Sequence, residues 1–177
     1  MSEEGSATRR FRDVCGRFAT GVTVVLTETE DGVQGMTANA FMSVSLDPLL
    51  IALGVRRHGK VASVLARPEM PFTISVLAQN QQYLAEFYSR PSRLRSADPP
   101  GIARTSDGRA IIASAQAWIA CQTVQVVEAG DHLLLVARAA RYDCDAEKEP
   151  LIFYAGRYWE YLEREQDRLL EWLLLER

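Results

Sequence analysis

The sequence predicts a mainly β, largely antiparallel barrel with few helices. Three observations predict it. At least six runs carry β-branched or alternating apolar residues at strand length, from residues 22–27 to residues 132–142. Tight-turn signals separate several of them: Asp31-Gly32, Asp47-Pro48 and Gly130-Asp131. Strands do not alternate regularly with helices, and no Gly-x-Gly-x-x-Gly follows the first strand, which disfavours a doubly wound dinucleotide-binding sheet.

Residues 1–7 read as a flexible tail. The first helix is expected over residues 7–19, because Phe11, Val14, Cys15 and Phe18 fall at i, i+3, i+4 and i+7 on one apolar stripe. Ser6 or Thr8 suits its start and Gly21 its end. Residues 22–27 are strongly β-branched and form a strand. Asp31-Gly32 turns the chain, and a strand from Val33 pairs back. This strand runs into a stretch of small and hydroxyl side chains, residues 35–45, followed by the apolar run 49–55. Between the two, Pro48 fixes its own φ and pushes Asp47 out of the helical region, so the reading is strand, turn, buried strand. Small residues on a strand let a flat ligand lie against the backbone, although close packing of another element has the same signature.

Arg56-Arg57-His58-Gly59-Lys60 is a basic loop opening a short helix at residues 61–66. On the residues alone it is a solvated turn. Pro68 and Pro71 end that helix. Residues 72–77 alternate apolar with hydroxyl and form a strand. Residues 79–88 read as a helix burying Leu84, Phe87 and Tyr88. Residues 89–95 are basic, and residues 97–109 are a loop rich in Pro, Gly, Asp and Ser. Residues 115–127 and 132–142 are two long strands joined at 128–131. Residues 151–154 and 157–161 form a final short hairpin around Ala155-Gly156. Residues 162–177 form a C-terminal amphipathic helix with Leu162, Leu169, Leu170, Leu173 and Leu174 on one wide face, which must be covered.

The 177 residues suit one domain with a sizeable core. A net charge of −3 excludes the broad basic field of a nucleic-acid binder. No apolar run reaches membrane-spanning length and the first twelve residues carry charges of both signs, so a soluble, cytoplasmic protein is expected. Three widely spaced cysteines suggest neither a disulfide framework nor a zinc ribbon, and Cys15 and Cys121 are expected in the core. With only His58 and His132, no histidine-rich metal site is expected. A Gly-x-Ser-x-Gly elbow and a Walker-type phosphate loop are both missing.

Four segments, in order, resemble the flavin reductase family of two-component monooxygenase systems. They are Phe11-Arg12 with Phe18-Ala19-Thr20-Gly21-Val22-Thr23-Val24-Val25; Gly35-Met36-Thr37-Ala38-Asn39-Ala40-Phe41 with Ser43-Val44-Ser45-Leu46-Asp47-Pro48; Gly130-Asp131-His132; and Pro150-Leu151-Ile152-Phe153-Tyr154 with Gly156-Arg157-Tyr158. The likeness covers roughly residues 8–160. It implies a six-stranded antiparallel split β-barrel of the FMN-binding type over residues 8–161, with peripheral helices, in a homodimer with flavin near the subunit interface. The middle departs from the family: Gly59 and Lys60 stand where serine or threonine is usual, and the Asp-Lys-Phe element after the third helix is missing.

The resemblance implies an NAD(P)H-dependent flavin reductase, with FMN or FAD reduced by NADH or NADPH and passed to a separate monooxygenase. Flavin carries the redox step and the protein binds and orients it, so no catalytic triad is needed. The implied flavin contacts are Met36, Thr37, Ala38, Asn39, Ala40, Ser43, Val44, Ser45, Gly54, Val55, Arg56, Lys60, Ser89 and Arg90. The implied nicotinamide side comprises His132, Tyr154, Arg157 and Tyr158, with His132 as the catalytic or electrostatic residue and Asp131 fixing its tautomer. Arg17 and Phe18 are further contributors. As a residue alone, His132 is a polar group at a hairpin end, and Tyr154, Tyr158 and Trp159 are equally core and rim packing. Two other readings stay open: a flavoenzyme that uses a retained flavin directly on an organic substrate, and a non-catalytic flavin-binding module.

Overall fold

The structure is a computed structural model and describes residues 3–91 and 99–162. The first half of the chain forms α1 (Glu3–Cys15), β1 (Thr20–Gly21), β2 (Thr23–Thr29), β3 (Gly32–Ala38), β4 (Phe41–Leu46), β5 (Leu49–Arg56), α2 (Lys60–Leu65) and β6 (Pro71–Val76). A 3-10 turn at Gln79–Gln81 leads into α3 (Gln82–Ser89). Then come β7 (Ile102–Arg104), β8 (Ala110–Ile112), β9 (Ala117–Ala129), β10 (His132–Cys144), β11 (Ile152–Tyr154) and β12 (Arg157–Trp159).

The molecule is mainly β. Among the described residues its principal sheet has seven antiparallel strands in the order β3-β2-β6-β9-β10-β5-β4. The resemblance implied six strands, and the strand expected from Val33 runs into the stretch 35–45. The chain breaks that strand at Asn39-Ala40 into β3 and β4, which lie at opposite ends of the strand order. The Gly54 N–H donates to the Ala40 carbonyl at 2.8 Å and holds the crossing against β5. β9 and β10 are 13 residues each and bend through register shifts at Val136/Ala137 and Ala139/Arg141.

β2 explains its own composition. Val25 packs into a core with Leu53, Val55, Ile74 and Leu135, while Val22, Val24 and Leu26 enter a second core with Leu77, Leu84, Tyr88 and Ile112. A strand buried on both faces reads as a continuous apolar run. Its two buried polar residues are both satisfied: Thr23 donates from Oγ1 to the Ala38 carbonyl at 2.6 Å and Thr27 from Oγ1 to the Pro71 carbonyl at 3.1 Å.

Three local expectations change. First, α1 begins and ends about four residues early, and its apolar stripe has no cover among the described residues: Phe11, Val14 and Phe18 are 70%, 64% and 77% exposed, and Cys15 is exposed as well. Periodicity shows that a face is apolar, not what covers it. Cys121 is in the core as expected, and burial pushes its thiol up to about 12. Second, the segment read as a loop at 97–109 contains β7 and the turn to β8, which begins just beyond it; these two strands are three residues each, too short to show periodicity. Third, Phe87 is half-buried, and Ala85 takes the core position beside Leu84 and Tyr88. The C-terminal helix expected at 162–177 lies outside the described residues except for Leu162. Among the described residues no helix is long and apolar enough to cross a membrane.

Candidate functional site: a cleft between β3 and the β5–α2 loop

β3 ends the strand order of the principal sheet among the described residues. Beside it opens a cleft of about 850 Å³. Gly35, Met36, Thr37 and Ala38 of β3 line it, followed by Asn39 and Ala40. Gly35 is required by packing: a Cβ there would come within 2.6 Å of the Leu26 side chain and 2.7 Å of the Tyr88 ring. Thr37 keeps its hydroxyl for the scaffold, donating to the Ala85 carbonyl at 2.6 Å, so its backbone rather than its side chain is left for a ligand.

The opposite wall comes from β5 and the loop after it. Gly54 and Arg56 line the cleft, whereas Val55 between them is buried in the core, 1% exposed. The Val55 side chain, expected at a ligand, points away from the cleft, because neighbours on a strand point to opposite faces. His58, Gly59 and Lys60 continue the wall. Arg57 turns away to pair with Glu128 at 3.1 Å. The Lys60 ammonium meets the Asp31 carboxylate at 2.8 Å, and this hydrogen bond holds the Asp31 carboxyl below its usual range.

His132 opens β10 directly opposite Arg56 in the β5–β10 register and also lines the cleft. Its Nδ1 lies 2.8 Å from Asp131 Oδ1. That hydrogen bond, more than the positive charge of Arg56, holds the Asp131 carboxyl below its usual range. The Arg57 N–H donates to the Asp131 carbonyl at 3.0 Å, so the turn is fastened to β5.

The far wall is aromatic: Tyr88, Phe153 and Tyr158, with Ser89, Arg90 and Pro91 beside them. Phe153 and Tyr158 are register partners whose rings meet edge-on at 5.3 Å. Their neighbours Tyr154 and Arg157 pair on the other side of the hairpin and lie outside the cleft. Arg17 hydrogen-bonds Tyr154, which strengthens its protonated form, so these two expected site residues meet each other instead. Ser43, Val44 and Ser45 stand on β4 outside the cleft, as does Phe18. Ser45 Oγ accepts the Asp47 N–H at 3.2 Å. Phe153 and Tyr88 escaped sequence reading, and alternation from Tyr158 across the Ala155-Gly156 turn is the signal that finds Phe153. Residues 92–95 of the expected basic segment lie outside the described residues.

The arrangement suits a flat heteroaromatic bearing phosphate. A floor of Gly35, Ala38, Ala40, Gly54 and Gly59 lets a ring approach the backbone, an aromatic wall covers one side, and Arg56, Lys60 and Arg90 supply positive charge on the rim. The sequence pattern described as "Flavin reductase like domain" matches residues 15–161. The chain belongs to this flavin reductase family. It is 33% identical over 151 residues to an NADH-dependent flavin reductase, StyB, of Pseudomonas fluorescens, covering 84% of this chain and 86% of that one. It is 37% identical over 152 residues to the reductase component of a flavin-dependent trigonelline monooxygenase of Acinetobacter baylyi, covering 85% of this chain. The match spans 48% of that relative's length. Among solved structures, the Streptomyces globisporus NADH:FAD oxidoreductase SgcE6, in complex with NAD and FAD fragments, superposes with a TM-score of 0.83 at 28% identity, covering 90% of this chain and 96% of that one. The cleft brings together residues from three of the segments that carry the resemblance: 35–40, His132, and Phe153 with Tyr158.

Proposed function

We propose that this chain is an NADH-dependent flavin reductase that supplies reduced FMN or FAD to a separate monooxygenase. The observation that carries the reading is the meeting, in one cleft, of the small-residue segment 35–40, the cationic Arg56 and the Asp131–His132 pair. Bound flavin would supply the two-electron acceptor, and hydride would reach it from a nicotinamide. The Gly35–Ala40 backbone and Asn39 hold the polar edge of the ring, Asn39 having both donors and an acceptor to offer. Arg56, Lys60 and Arg90 answer phosphate. Tyr158 and Phe153 close the side away from solvent, and His132 sits where a nicotinamide is positioned. Ser43, Val44, Ser45, Val55, Tyr154 and Arg157 do not belong to this set within one subunit.

The proposal includes a homodimer in which each sheet closes as a split barrel. The Gly54–Ala40 hydrogen bond supports closure at the β3–β4 crossing. The exposed Met42, Val44 and Leu46 on β4, with Phe11 and Val14 on α1, support a second copy as their cover. The reaction is set in the cytoplasm, in keeping with three unpaired cysteines.

The test is aerobic oxidation of NADH and of NADPH by the purified protein, with FMN or FAD added in excess. The expected result is NADH oxidation that rises and saturates with added flavin. NADH oxidation that ignores added flavin, or none at all, contradicts the reading.

A further inference from the structure

A second cavity, of about 310 Å³, opens where the turn between β7 and β8 comes down beside β2 and β6. It shares no lining residue with the cleft beside β3. Leu26 stands between the two: it pairs with Thr73 on one side and with Gly35 on the other. The floor is apolar, with Leu26, Phe72 and Ala110 all buried. Thr27 and Thr73 also line it, but both hydroxyls donate within the chain, to the Pro71 carbonyl at 3.1 Å and the Ala110 carbonyl at 2.6 Å. The floor therefore has no hydroxyl proton left for a ligand. The wall is charged. Asp107 accepts from the Thr105 hydroxyl at 2.5 Å and meets Arg109 at 3.2 Å and Arg141 at 3.3 Å. The Thr105 hydrogen bond, ahead of the two guanidiniums, holds the Asp107 carboxyl below its usual range. Glu28 meets Arg104 at 2.7 Å, and the same Arg104 nitrogen donates to the Gly108 carbonyl. Three guanidiniums thus surround two carboxylates, which leaves a surplus of one positive charge. Arg109 is the one of the three that lines the cavity. Its Nε is engaged by Asp107, and among the described residues its two terminal nitrogens have no hydrogen-bond partner. Its side chain is 37% exposed, and its charge reaches Cys121, the register partner of Phe72, so the guanidinium leans over the floor.

We infer that this cavity is a second ligand site, built for a small monocarboxylate whose body is a single apolar ring. The ring fills the space against Leu26, Phe72 and Ala110, where no hydrogen bond is on offer. The carboxylate meets the terminal nitrogens of Arg109, since two coplanar oxygens match the guanidinium fork. The surplus of one charge suits a monoanion. A phosphate dianion would bring a second negative charge up to Asp107 and Glu28 with nothing to offset it. The volume lies at the small end of ligand pockets, which fits one ring and excludes a flavin or a dinucleotide.

The probe is benzoate, with benzamide as its uncharged counterpart, titrated calorimetrically into the full chain with and without saturating FMN. The expected result is benzoate binding with a Kd of about 1 mM or tighter, weaker binding of benzamide, and no change when FMN is added. Arg109→Gln is expected to weaken benzoate roughly tenfold and to leave benzamide unmoved. Glu28→Gln removes a neighbouring negative charge and is expected to tighten benzoate about threefold, a gain that loss of folding cannot imitate. Should Arg109→Gln fail to fold, Glu28→Gln decides alone. Benzamide binding as tightly as benzoate, displacement of benzoate by FMN, or a benzoate affinity equal to wild type in either folded variant overturns the inference. None of these titrations needs turnover, so the site stands or falls separately from the reductase reading, whose failure shows as an absence of NADH oxidation by the wild-type protein.

Discussion

Two regions of the main sheet carry hydroxyl and small residues in similar density, and they end differently. On β6, Thr73 and Ser75 are buried and fully used. Thr73 Oγ1 donates to the Ala110 carbonyl at 2.6 Å, and Ser75 Oγ accepts the Ile112 N–H at 3.0 Å, so the β7–β8 hairpin is laid down on them. Gln81 adds a third tie, donating from Nε2 to the Ala113 carbonyl at 2.8 Å. At β3 and the end of β5 the polar groups face a cleft instead, with Asn39 exposed and His132 Nε2 unpartnered among the described residues. The lesson is that a polar side chain on a strand announces a polar neighbour, and only the fold decides whether that neighbour is the chain itself or a ligand.

The largest expected effect is at the seam between the two regions. Gly35→Ala drives a Cβ into Leu26 and Tyr88, and overpacking of this kind is expected to cost up to about 3 kcal/mol, read as a lowered denaturation midpoint. An unchanged midpoint would mean that α3 moves freely from β3 and that the cleft wall is soft. Next comes the closed region: Thr73→Val leaves the Ala110 carbonyl without its partner. It is expected to destabilise by about 1–2 kcal/mol while leaving flavin affinity per folded molecule unaltered. Arg56→Ala is expected to do the reverse, weakening flavin binding roughly tenfold, or about 1.4 kcal/mol, with the midpoint unmoved. Fluorescence titration of FMN and of FAD measures it.

The smallest effect concerns Cys121. Burial pushes its thiol from 9.0 up to about 12, so the folded chain keeps a proton that the unfolded chain loses. The stability it contributes is full below pH 9.0 and declines as pH rises toward 12. In the native protein, a thiol reagent at neutral pH is expected to label Cys15 and Cys144, which are exposed, and to spare Cys121. Replacing Cys121 by alanine is expected to flatten the alkaline decline of the denaturation midpoint.

Much of this architecture was legible in the sequence, for identifiable reasons. The strands β2, β5, β9 and β10 carry long apolar or alternating runs, and those patterns follow directly from burial. The segment 35–40 and the Asp131–His132 turn stood out through resemblance, and both line or border the cleft. Resemblance did not resolve which face each residue takes. Val55 and Arg157 were expected at the ligand and point away, while Phe153 was passed over and points in, because alternation is a property of register, not of residue type. The hairpin β7–β8 was hidden by its length. Its turn is held by Thr105, whose Oγ1 accepts the Arg109 N–H at 3.0 Å, and by Asp107, which meets Arg109 and Arg141. Cys15, on the exposed stripe of α1, was expected in the core since a helix's apolar face looks the same whether its cover is the chain's own sheet or another molecule.

The most direct test of the contrast between the two regions is backbone amide exchange with and without saturating FMN. Slowed exchange in peptides covering residues 35–40 and 54–60, with residues 71–76 and 110–113 unaltered, is the expected result. Protection centred on 71–76 and 110–113 instead would contradict it and move the ligand to the face that the hairpin covers.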